Sequence, residues 1–99
     1  MTINVQYVKM LNSESMTQYV SKKLNKLGNK FQWVISANVF FKLENDPAGN
    51  KNICEIELSL PGPKIFASSK EKNFEWAAKN TLSDLTKQLK KRKGSFANH

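Results

Sequence analysis

Positions 2–8 alternate: Ile3, Val5 and Tyr7 fall on one side and Asn4 and Gln6 on the other, the period of a strand with one buried face. The period then changes. Met16, Val20, Leu24, Leu27 and Phe31 recur at intervals of four and three, which puts them on one face of a helix. Two residues compete to cap it: Ser15, with Gln18 three positions on completing a capping box, and Ser13. Gly28-Asn29 is a stop signal, so the helix is expected to end between Gly28 and Phe31. Ile35, Ala37, Val39, Phe41 and Leu43 then alternate with Ser36, Asn38, Phe40 and Lys42 on a long second strand. Residues 44–52 are rich in turn formers and read as a hairpin loop. On a third strand Cys54, Ile56, Leu58 and Leu60 face in while Glu55, Glu57 and Ser59 face out. Pro61-Gly62-Pro63 makes the next turn, and residues 64–68 form a short fourth strand with Ile65 and Ala67 inward. Asn73 is placed to cap a last helix whose apolar face is Phe74, Ala78, Leu82, Leu85 and Leu89, with Glu75 well placed against the helix dipole.

The order is β-α-β-β-β-α, an α+β domain in which a four-stranded sheet carries two helices on one face. Ninety-nine residues supply one core. The domain is expected over residues 1–94, followed by a short flexible tail at 95–99. Its last five elements repeat the αβββα order of a double-stranded-RNA-binding domain, with one strand added in front. The βαββαβ order of an RNA-recognition motif does not fit, and its aromatic signature is absent.

Charge sharpens this picture. Sixteen basic residues against eight acidic ones leave +8, with a pI near 9.8, so the chain should attract polyanions in a salt-sensitive way. The charges are also segregated. Glu44, Asp46, Glu55 and Glu57 cluster in the middle, whereas the stretch from Lys79 to Lys93 holds six basic residues and a single acid, Asp84. At 100° per residue Lys22, Lys26 and Lys30 stack into a stripe with Lys23 beside it. On the last helix Lys79, Ser83, Lys87 and Lys90 line the side opposite the leucines, and Lys91, Arg92 and Lys93 wrap round its end. Lysine favours helices and complements the dipole at a carboxyl end, which explains one or two of these. A whole set with almost no acidic partner four residues away points instead to an RNA-type polyanion.

Trp76 falls on the same outer side, about 160° from the leucine face. Its indole either folds over a neighbouring loop or the edge of the first helix, or stacks on an RNA base or sugar. Phe40 and Phe66 lie on the outer register of the sheet, where they either stack on bases or, the preferred reading, form an edge-to-face pair.

Catalysis finds no footing. The one histidine is the terminal His99, and Cys54 sits on an inward strand register as a buried thiol. No phosphate-binding glycine loop, facing carboxylate pair or metal-ligand spacing occurs, so no enzyme, cofactor or metal is expected. The amino terminus has no basic segment followed by an apolar one, no apolar run reaches ~18 residues, and a lone cysteine suits a reducing compartment. A cytoplasmic protein is expected.

The opening strand, then YVSKKLNKLGNKF (19–31), ANVFFKLE (37–44), IELSLPGPKIFASS (56–69) and LSDLTKQLKKRK (82–93), resemble the short ribosome hibernation-promoting factors, the group that includes the ribosome-associated inhibitor A (YfiA) proteins. The resemblance spans nearly the whole chain, in order. It implies a cytosolic bacterial protein, a monomer when free, that binds the small ribosomal subunit. Such proteins lodge between head and body against ribosomal RNA, where messenger and transfer RNA run, and silence translation reversibly in stationary phase or stress. The family's basic helix positions correspond to Lys22, Lys23, Lys26, Lys87, Lys90 and Lys91. This chain departs from the family in two places: the usual Asp is Lys79, and a small residue is Trp76. The second domain by which long members pair ribosomes has no counterpart here. Two rival readings remain, a general double-stranded-RNA binder and a protein- or membrane-surface module. The first usually carries its lysines at the start of the last helix and a histidine in a strand loop, and this chain has neither arrangement.

Overall fold

The computed structural model describes residues 1–45, 47–49 and 51–97. The elements are β1 (Thr2–Val8), α1 (Glu14–Lys30), β2 (Ser36–Leu43), β3 (Asn52–Ser59), β4 (Ile65–Glu71) and α2 (Phe74–Ala97), in the order the periodicities predict. The sheet runs β1-β2-β3-β4. Because α1 carries the chain back across the sheet, β1 pairs in parallel with β2, Val5 opposite Val39. The two later pairs are antiparallel hairpins, with Val39 opposite Ile56 and Ile56 opposite Ala67.

Both helices cover the same face. Alternation sends Ala37, Val39, Phe41, Cys54, Ile56, Leu58, Ile65 and Ala67 into the layer between, where they meet Val20, Leu24, Leu27 and Phe31 of the first helical segment and Ala77, Ala78, Leu85 and Leu89 of α2. Phe41 is the hub, stacked on Tyr7 at 5.4 Å and edge-on to Phe74 at 5.6 Å. Polar ties fix the helices in place. Tyr7 Oη donates to Ser13 O at 2.7 Å, joining β1 to the start of α1. Gln88 Nε2 donates to Phe66 O at 3.0 Å, joining α2 to β4. Thr81 is fully buried, its hydroxyl directed between Ala77 O at 2.8 Å and Cys54 O at 3.1 Å. Asn52, also buried, gives its amide to Glu71 O and Lys72 O.

Several local expectations need correction. Ser13 caps α1, its Oγ accepting from Met16 N, while Gln18 bonds to Glu14 instead of closing a box with Ser15. The helix runs through Gly28 to Lys30, with Phe31 N donating to Leu27 O. Gly28 lies inside the helix and does not end it; a Cβ there would meet only the movable tip of the Met1 side chain, at 2.8 Å. Ile35 lies outside β2 and is 61% exposed, although its backbone N–H bonds to Ser59 O. The fourth strand extends to Glu71. Phe40 and Phe66 form no ring pair: β3 separates their strands, and they sit opposite Glu55 and Glu57 respectively. The last helix continues to Ala97, through the first residues assigned to a tail; Asp46 and His99 lie outside the described residues.

Cys54 is the buried thiol that its register implies. Burial pushes its pKa up to about 12 from 9.0, opposed by a hydrogen bond with Thr81 and aided by the charge of Glu55. A raised thiol pKa favours the fold below about 9, and that contribution is lost as pH climbs towards 12. Cys54 should therefore resist alkylation at neutral pH until denaturant unfolds the chain. Rapid labelling of the native protein would contradict the packing.

Candidate nucleic-acid interface

The helices lie side by side on the sheet, and their outer surfaces form one face of the molecule. Lys22, Lys23, Lys26 and Lys30 are all exposed along α1; Lys79, Lys87, Lys90, Lys91 and Lys93 are exposed along α2. Packing brings four of them together. Lys23, Lys26 and Lys30 from one helix and Lys79 from the other rim a groove of ≈ 370 Å³ whose floor is Tyr19, Leu27 and Leu82, with Ser83 and Thr86 on the α2 side. No acidic residue lines it.

Ion pairing explains why this face stays positive. Three of the four ion pairs among the described residues are on the sheet side: Lys42–Glu55 at 2.8 Å, Lys64–Glu57 at 3.3 Å and Lys70–Glu44 at 2.8 Å. Glu44, Glu55 and Glu57 are thus each matched with a lysine on the sheet side. On the helices a single pair occurs among the described residues, Glu75–Lys79 at 3.4 Å, one turn apart. The remaining helix lysines have no ion-pair partner among the described residues. Aromatic faces hold some of them without cancelling their charge: Lys23 Nζ lies 5.7 Å from the Tyr19 ring centroid and Lys30 Nζ 5.7 Å from that of Phe31. The outcome is a dipolar body, neutralised on the sheet and cationic on the helices, which orients a polyanion as well as attracting it.

Arg92 differs from its neighbours. It is half-buried, and its Nη1 donates to Pro61 O at 3.4 Å and Pro63 O at 3.1 Å, linking α2 to the β3–β4 turn. Trp76 is 57% exposed on the outer side of α2, away from the groove, with Lys79 Nζ 5.3 Å from its ring centroid. Sequence reasoning placed Ser83 on the lysine side of its helix but missed Tyr19, Leu82 and Thr86 as groove-lining groups. Helix periodicity assigns each to its own helix, and only the contact between helices reveals that they face one another. Among the described residues no three of His, Cys, Asp and Glu gather into a possible metal site, and no helix is long and apolar enough to cross a membrane.

Residues 3–96 match the family model described as Sigma 54 modulation protein / S30EA ribosomal protein. Among solved structures the chain is similar to a ribosomal subunit interface protein from Coxiella burnetii, with a TM-score of 0.84 and 20% identity over 95% of this chain and 99% of that one. It is also similar to the Protein Y N-terminal domain from Thermus thermophilus, with a TM-score of 0.78 and 25% identity over 92% and 98% of the two chains. Comparison with curated protein sequences gives no match.

Proposed function

The chain belongs to the Sigma 54 modulation protein / S30EA ribosomal protein family, and from that premise we propose that it is a ribosome hibernation factor acting in the cytoplasm. On this reading it binds the small ribosomal subunit in the channel for messenger and transfer RNA and reversibly inhibits translation in stationary phase or stress. The observation that carries the reading is the two-helix face on which Lys23, Lys26, Lys30 and Lys79 converge on a groove that no acidic residue lines.

The mechanism is occupancy rather than chemistry. The body measures 47 × 26 × 18 Å, a flat shape with a short axis for entering a cleft lined by ribosomal RNA. Phosphates on the cleft wall meet Lys22, Lys23, Lys26 and Lys30 on one helix and Lys79, Lys87, Lys90, Lys91 and Lys93 on the other, with Arg92 at the end. Contacts of this kind read backbone and shape, not sequence. No covalent bond forms, so release needs only competition or salt. Duplex RNA is a weaker alternative because the basic residues of α2 concentrate in its second half.

Co-sedimentation with purified small subunits tests the proposal. The protein should pellet with subunits at low salt, and log K should fall linearly with log salt with a slope of about −0.7 to −0.9 per phosphate contact. It should also compete with transfer RNA and block initiation in a purified translation system. Retention indifferent to salt, or initiation untouched by saturating protein, would overturn it.

A further inference from the structure

The chain's two tryptophans are packed very differently. Trp33 is half-buried, edge-on to Phe31 at 5.9 Å. Trp76 is 57% exposed, although it stands on a firmly built element: its backbone N–H donates to Asn73 Oδ1 at 2.8 Å in the first turn of α2. Holding a large apolar ring in water on a rigid support forgoes the burial it would gain elsewhere. The ring borders a concavity of ≈ 530 Å³ shared with Glu71, Lys72 and Asn80. Within it the Asn80 amide donates to the Glu71 carboxylate, which fixes the amide plane and leaves its Oδ1 and second N–H to meet a ligand. Lys72 adds an exposed ammonium. A π-face beside a donor–acceptor amide and a cation is the chemistry that takes a nucleobase with its phosphate.

Position links this site to the interface. Trp76, Lys79, Ser83, Lys87 and Lys90 follow one another at intervals of three and four, one line along the outer side of α2. With a rise of 1.5 Å per residue the line is about 21 Å long. A strand held by phosphate contacts at the lysines therefore reaches the indole.

We propose that Trp76, with Asn80 and Lys72, forms a seat for one unpaired nucleobase of the RNA that the helix face engages. The assignment rests on the RNA reading above and adds to it a preference for a looped-out or single-stranded residue, because paired bases hide their faces in the stack.

Intrinsic fluorescence tests it. In the full chain carrying Trp33→Phe, Trp76 is the sole indole and should be quenched by a single-stranded RNA oligonucleotide at low salt. An abasic strand of equal length and charge should leave it unquenched. Trp76→Ala should weaken binding of the base-bearing strand about 5- to 150-fold, the range for loss of one stacked base, with Trp76→Phe recovering part of it. Should Trp33→Phe impair folding, the difference spectrum between the parent and Trp76→Phe reads the same signal. Equal quenching by the abasic strand overturns the seat, as does a Trp76→Ala protein that binds normally but melts earlier. Quenching by RNA-free ribosomal proteins alone assigns the indole to a protein neighbour and likewise overturns it. Parent protein that fails to pellet with small subunits sinks the RNA reading itself, whereas pelleting with a silent indole sinks the seat alone.

Discussion

Replacing Lys87, Lys90 and Lys91 together by glutamate is expected to abolish ribosome association while leaving thermal unfolding nearly unmoved. All three side chains are exposed, and none has an ion-pair partner among the described residues, so no such ion pair is lost. They lie before the last turn of a helix that ends at Ala97, where the helix dipole has little hold on them. For binding the effect is large. Each reversal removes an attraction and installs a repulsion, so three of them take the net charge from +8 to about +2. Like charges pressed together at an interface cost several kcal/mol. Affinity for small subunits should fall by well over a hundredfold at moderate salt, read by sedimentation beside a circular-dichroism melt. A folded triple variant that binds like the parent would move the interface off α2.

Leu85→Ala should do the opposite. Leu85 is fully buried on the sheet side of α2, between Thr81 and Leu89 of the same face. Truncation removes its transfer free energy and leaves a cavity that a close-packed layer cannot collapse into, a loss of about 2–5 kcal/mol. Against a total stability of about 5–15 kcal/mol for a domain, that is a visible fraction in a urea titration. The molecules that remain folded should bind ribosomes with parental affinity, because the leucine points away from the lysines. An unchanged midpoint would mean that α2 does not pack on the sheet through this residue.

Element order, helix faces and strand registers were legible because each rests on periodicity, and periodicity is a property of neighbours in the chain. Val20, Leu24 and Leu27, and likewise Cys54, Ile56 and Leu58, are buried where their spacing puts them. The failures occur where distant segments decide. Ser13 outcompetes Ser15 as cap in a segment whose approach is set by Tyr7, whose hydroxyl donates to the Ser13 carbonyl. Ile35 keeps strand spacing but lies outside β2, with its side chain largely in solvent. Phe40 and Phe66 share a face but not a strand pair, which only the sheet order reveals. At the candidate interface the lysine stripes could be drawn from a helical projection. Their convergence on a groove, the diversion of Glu44, Glu55 and Glu57 to sheet lysines, and the engagement of Arg92 with a turn all depend on tertiary contacts.

The hold of Arg92 on the Pro61–Pro63 turn bears on how the basic surface meets a partner. Two prolines stiffen that turn, and Gly62 between them has φ +92°, with the Arg92 guanidinium so near that a Cβ would come within 3.2 Å of Nη1. The second half of α2 is thereby anchored to a rigid corner instead of projecting as a lone helix end that frays. Ordering a flexible segment on binding costs about 1–2 kcal/mol per residue of backbone entropy. Lys87, Lys90, Lys91 and Lys93 avoid that cost because their helix is already set. Association then proceeds as rigid docking steered by charge, and dissociation needs no unfolding, so both can be fast. A surface preorganised in this way can be loaded and cleared as conditions change, without the chain having to fold or unfold at each encounter.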